Sequence, residues 1–136
     1  MRPHRILVTL LFTLSATGFA AQKKFQPAII REMTQVSGPW QIVLDFVEIR
    51  DCNCAGGIEV VNKNGKLRTF TLDKKVKIRL LKDASEYADA TPEQLAAGRD
   101  GRNFGWPFSA DTPFEFRFDA AQKQVTEIRQ VYFPHK

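Results

Sequence analysis

Three stretches of this chain place an apolar residue at every second position, and that period narrows the fold more than any other feature. Trp40, Ile42, Leu44 and Phe46 alternate with Gln41, Val43 and Asp45; Val76, Ile78 and Leu80 alternate with Lys77 and Arg79; Phe114, Phe116 and Phe118 alternate with Glu115 and Arg117. Successive side chains of a strand point to opposite faces, so each stretch has one dry face and one wet face. The Trp40 run is expected to be the first strand. At Phe46-Val47 the apolar set slips out of step and continues as Val47 and Ile49 with Glu48 and Arg50 beside them, which predicts a β-bulge on a strongly coiled strand.

Turn and cap residues divide the rest. Ser37-Gly38-Pro39 is a turn, Gly56-Gly57 opens a strand from Ile58 to Val61, and Asn62-Lys63-Asn64-Gly65 has the composition of a type I′ hairpin turn that returns Leu67 to Leu72 antiparallel. Thr91-Pro92-Glu93-Gln94 supplies an N-cap, a proline at the first helical position and a glutamine at the third, and Gly98 can end the element, so one short helix from about Pro92 to Ala97 is expected. Phe114 to Phe118 and a last strand from Val125 to Phe133 form a closing hairpin. The expected fold is mainly β, a small antiparallel barrel or rolled sheet with one short helix. A five-stranded barrel of the oligonucleotide- and oligosaccharide-binding (OB-like) type carries its helix between the third and fourth strands, and the chain fits it if the Leu67 strand merges with its neighbour. A rolled meander is the alternative.

Residues 1–20 read as a cleavable signal peptide. Arg2 and Arg5 precede an apolar run from Ile6 to Phe12 that continues through Leu14 and Ala16, and Gly18-Phe19-Ala20 puts small residues at the positions a signal peptidase requires. About 11 apolar residues reach only roughly 16 Å as a helix, too short for a bilayer core of about 30 Å, so no transmembrane segment is expected in the mature chain. The organisation expected is therefore a signal peptide over 1–20, an N-terminal segment over 21–39 and one β domain over 40–134, secreted or periplasmic. Losing Arg2 and Arg5 leaves 18 basic against 15 acidic residues, a net of +3 where the whole chain has +5. That charge favours solubility but is no nucleic-acid footprint.

The only cysteines, Cys52 and Cys54, share the polar loop Asp51 to Gly57. In an exported protein they are expected to be joined to each other, joined across a dimer or bound to a metal. A bridge across one intervening residue needs a tight bend that brings the two Cα atoms within about 7 Å. The functional alternative is thiol redox exchange or soft-metal capture, and a metal would want further soft ligands, for which the mature chain offers Met33 and His135. No nucleophile triad, zinc motif or phosphate loop is present, no cofactor is implied, and an enzyme is the weaker expectation. Asp45 and Glu48 are the one candidate carboxylate pair, with a role in holding the sheet together as the plainer alternative. Phe104, Trp106 and Phe108, flanked by Arg99 and Arg102, form either a ligand-stacking platform or the cap on a barrel end. The partner expected is an unidentified envelope ligand or protein, not nucleic acid.

The segments Leu44-Asp45-Phe46-Val47-Glu48, Val60 through Leu72 with Asn62-Lys63-Asn64-Gly65-Lys66-Leu67-Arg68-Thr69-Phe70 at its centre, and Val125-Thr126-Glu127-Ile128 through Tyr132-Phe133-Pro134 resemble a group of small exported bacterial proteins of unknown function. The resemblance covers most of residues 40–134, and its middle segment is the most specific. Gly65 stands where that group has proline, Ile49 stands where it has an aromatic residue, and the cysteine loop is short. No activity is attached to the group, so none carries over. The shared polar positions Asp45, Glu48, Asn62, Asn64 and Arg68 are implied to form one structural or binding cluster around the first hairpin.

Overall fold

The computed structural model describes residues 24–102 and 105–133, so the expected signal peptide over 1–20, together with Phe104 and His135, lies outside the described residues. Among the described residues eight strands and one helix follow in order: β1 (Gln26–Gln35), β2 (Trp40–Phe46), β3 (Glu48–Asp51), β4 (Ile58–Val61), β5 (Leu67–Leu81), β6 (Tyr87–Ala90), α1 (Pro92–Arg99), β7 (Pro113–Phe118) and β8 (Gln124–Gln130).

Five strands close a barrel in the order β2-β1-β7-β8-β5, with β2 pairing back onto β5, and β6 extends β5 at the edge. The order and the helix between the third and fourth barrel strands are those of the OB-type barrel, and closure excludes the rolled meander. The barrel is not wholly antiparallel, because β5 and β8 run parallel. The interior is the set of alternating positions read from the sequence: Ile42 and Leu44, Ile78 and Leu80, and Phe114, Phe116 and Phe118 are all buried, joined by Val125 and Ile128 of β8.

Three expectations about the strands are corrected. Gln26–Gln35, expected as a leading segment outside the β domain, is a full barrel strand: Ala28 and Ile30 sit in the core, and β1 pairs with β2 on one side and β7 on the other. The Trp40 strand is thus the second. Leu67 to Leu72 and Val76 to Leu80 are one continuous 15-residue strand, as the barrel reading required. Asn62-Lys63-Asn64-Gly65 does not turn a hairpin. β4 pairs with β3 rather than β5, Gly65 keeps a negative φ, and the Asn62 and Asn64 side chains accept backbone N–H bonds from Asn64 and Lys66 in two successive Asx turns. The register slip expected at Phe46-Val47 is a strand break instead: the buried Val47 donates its N–H to the Pro27 carbonyl, and the chain leaves the barrel as a two-stranded arm, β3–β4.

The cap signals hold. Thr91 accepts the Gln94 N–H while the Gln94 side chain accepts that of Thr91, closing a capping box ahead of α1. Gly98 lies inside the helix rather than ending it, and the reason is packing: a Cβ at this position would overlap the ring of Phe108. Leu95 is fully buried in the same core as Phe108 and Phe114, so helix and excursion loop together stopper one mouth of the barrel. At the outer face of β7–β8, Glu115 stands opposite Arg129 and Arg117 opposite Glu127, both as ion pairs. The Phe25 ring lies under both guanidinium groups at 4.0 and 3.8 Å and fastens the chain entering β1.

Candidate functional site

The unstoppered mouth is formed where β1 begins, β2 ends, β5 begins and β7 turns into β8. Alternation places Phe46, Phe70 and Phe118 there on the inner face. Phe70 and Phe118 lie 4.7 Å apart, and Phe46 sits about 6 Å from each, edge-on to Phe70. Phe118 is buried, while Phe46 and Phe70 are half-buried; among the described residues no helix covers this end. The Arg68 guanidinium projects over the Phe46 ring at 5.8 Å. Lys66 stands two residues earlier on the approach to β5. Both cations are exposed, and neither makes an ion pair among the described residues.

Two grooves meet at this mouth. One of about 300 Å³ runs between Pro27, Val47, Asn64 and Lys66, and one of about 220 Å³ runs between Thr69, Phe70, Phe118 and Gln122; Gln26, Phe46 and Arg68 are the wall they share. No carboxylate lines either groove. At the rim, in the β7–β8 turn, Asp119 accepts the N–H groups of Gln124 and Lys123, bonds that hold its carboxyl below the usual carboxylate range.

Of the aromatic platform expected over Arg99 to Phe108, Phe104 lies outside the described residues, and the described members part company. Phe108 is buried edge-on against Phe114 at 5.1 Å and belongs to the core. Arg99 turns back to donate to the Ile30 carbonyl at 2.7 Å, where burial lowers its guanidinium pKa, Asp100 opposes that fall and Arg31 adds to it. The acceptor lies at the point where β1 bulges, between Ile30 and Glu32. Arg102 is exposed, its backbone N–H tied to the Ala97 carbonyl. Trp106 lines a groove of about 260 Å³ with Val60 of the arm and Phe133, and its ring lies 5.1 Å from that of Tyr132. A larger groove of about 630 Å³ lies by Trp40, between the β1–β2 turn and the start of α1; its walls mix Lys74 with Asp73 and Glu93.

The implied polar cluster divides in two. Asp45, 4% exposed on the outer face, accepts from Asn62 at 2.9 Å and from Arg31 at 3.0 and 3.3 Å, and Arg31 also reaches Asp111. Asn64 joins it only through its backbone bond to Asn62. This clasp holds the arm against the barrel. Arg31 escaped the sequence reading because it is the extra residue of the β1 bulge, where the period-2 rule gives no direction. Glu48 belongs elsewhere: it pairs with Arg50 at 2.6 Å and Lys63 at 3.5 Å, with the Arg50 hydrogen bond the chief cause of its lowered pKa. Asp45 and Glu48 therefore have separate partners and form no carboxylate pair, and Arg68 leaves the cluster for the mouth.

Cys52 and Cys54 are joined to each other at the tip of the arm, Cα atoms 5.1 Å apart, in a turn closed by the Cys52 N–H to the Gly57 carbonyl and the Gly57 N–H to the Cys54 carbonyl. Gly56 and Gly57 both take positive φ there, 90° and 74°, which is what so tight a bend demands. Among the described residues no three His, Cys, Asp or Glu side chains converge on a possible metal position, and no helix is long and apolar enough to cross a membrane. Comparison of the chain with protein-family models, with curated proteins and with solved structures finds no match, so its own geometry carries the functional reading.

Proposed function

We propose that the chain is an exported binding module of the bacterial envelope, non-enzymatic, and akin to the small exported proteins its motifs resemble, which holds its ligand at the unstoppered barrel mouth. The observation that carries this reading is the combination of half-buried Phe46 and Phe70 with two cations that lack ion-pair partners among the described residues, at the type of barrel opening where small-molecule sites recur. It moves the ligand face from the Arg99 to Phe108 loop, whose Phe108 and Arg99 are spent on packing, to the opposite end. A fragment screen read by amide NMR is expected to place its shifts on Phe46, Thr69, Phe70 and Phe118. Shifts confined to Trp106 and Val131 would return the site to the excursion loop. Export is tested in parallel by the N-terminus of the protein recovered from the periplasm, expected to be Ala21; a retained Met1 would overturn it.

A second reading, a thiol-redox protein, is favoured by the placement of the bonded Cys52 and Cys54 at the exposed tip of an arm rather than in the core. Protein purified without reductant is expected to lack two hydrogens relative to its reduced mass. If Cys52→Ser with Cys54→Ser leaves the cellular phenotype unchanged, the bridge is a local clip and the redox reading is finished.

A further inference from the structure

The chemistry of the mouth names a ligand class, an inference that rests on the reading that this mouth is the binding site. We infer that it binds an anionic saccharide, with a sugar ring against Phe46 and Phe70 and its carboxylate or phosphate between Lys66 and Arg68.

Each part of such a ligand has a counterpart here. The half-buried rings of Phe46 and Phe70 are apolar, and the C–H face of a pyranose covers such a surface without stranding its hydroxyls. Gln26 and Gln122 line these grooves with side-chain amides able both to donate to and to accept from sugar hydroxyls, and Asn64, whose oxygen accepts the Lys66 N–H, keeps its amide N–H groups to donate. Lys66 and Arg68 supply charge that no lining carboxylate cancels, so an anion gains attraction from both cations at once. Arg68 also offers a planar fork suited to a carboxylate or phosphate, and its place over the Phe46 ring puts that fork next to the apolar surface instead of out in solvent. The two grooves share one wall, which lets consecutive sugar units occupy them in a single pose.

Single-stranded nucleic acid is also anionic, but the barrel is unsuited to it. The outer face of β2–β5, where a barrel of this type stacks bases, carries Gln41, Val43, Thr69 and Thr71, with Asp45 opposite Leu67. Its paired residues offer no aromatic ring and no free cation, and the one charged side chain, Asp45, is already paired with Arg31.

Isothermal titration with three probes tests the assignment: a galacturonic acid trimer, maltotriose bearing one phosphate monoester, and the neutral galactose trimer. The prediction is binding of one or both acidic probes, at least 10-fold weaker binding of the neutral one, and an affinity that falls as salt is raised. Which acidic probe binds more tightly identifies the source of the charge. The double variant Lys66→Gln with Arg68→Gln, both exposed and outside the core, is expected to weaken acidic binding at least 10-fold at an unchanged melting temperature. Equal binding of neutral and acidic trimers would overturn the anionic class while leaving the mouth as the site. Acidic binding that ignores the double variant would overturn both, and so would the absence of binding by any probe together with fragment shifts confined to Trp106. Tighter binding of a hexathymidylate than of either acidic sugar would replace the saccharide with nucleic acid.

Discussion

Phe114→Ala is expected to lower the unfolding free energy by about 3–5 kcal/mol, the usual range for removing a fully buried aromatic ring. Phe114 has no exposed surface and sits where two units of the fold meet. On one side it belongs to the barrel interior with Phe116 and Ile30; on the other it takes the edge of Phe108, which in turn lies on Gly98 of α1. Its loss opens a cavity at the stoppered mouth. Urea denaturation of Phe114→Ala, Phe108→Ala and the double variant is expected to return a coupling of about 0.5–1.5 kcal/mol for the ring pair. Additive losses would mean that the helix and loop rest on the barrel without being locked to it.

Gln130→Leu is expected to cost about 2–3 kcal/mol although it puts an apolar side chain of similar size into an apolar place, because one buried N–H is stranded at about 1–3 kcal/mol and a second bond is lost. Gln130 is 1% exposed; its side-chain oxygen accepts the Leu81 N–H at 2.8 Å, and its amide donates to the Trp106 carbonyl at 3.2 Å. The same residue offers its backbone carbonyl to the Tyr87 hydroxyl at 2.8 Å. One side chain thus ties the end of β5, the excursion loop and β8 together. Hydrogen exchange should quicken first at Leu81 and Trp106 in the variant. Exchange that quickens evenly over the whole barrel would show that Gln130 contributes only to the core and not to this tie.

The candidate site was legible only in fragments. Phe46 and Phe70 were readable as strand residues, and Arg68 as a polar position near the first hairpin, but nothing local shows that they share an opening. Their meeting depends on β2 pairing with β5, on β7 turning beside them, and on α1 having gone to the other end. The aromatic cluster from Phe104 to Phe108 was the stronger local signal and pointed elsewhere, because a run of aromatics beside glycine and proline looks alike whether it binds a ligand or fills a core. Gly98 decides between them for Phe108: with no Cβ on the helix, the ring drops into the interior.

Ala28 and Ile30 were hidden for a related reason. Their strand bulges at Arg31 and carries Glu32, Met33, Thr34 and Gln35 beyond it, so the period-2 pattern is broken in its middle.

By itself the sequence determined what depends on neighbours a few residues away: alternating faces for β2, β5 and β7, a capping box for α1, and two cysteines close enough to join at a glycine bend. Only the tertiary structure decided which strands close the barrel, that the chain before Trp40 supplies one of them, that Asp45 clasps an arm through Arg31 and Asn62, and which mouth the helix fills. Those outcomes are set by pairings between distant segments, where burial and hydrogen-bond satisfaction are properties of the assembled barrel and of no single stretch of chain.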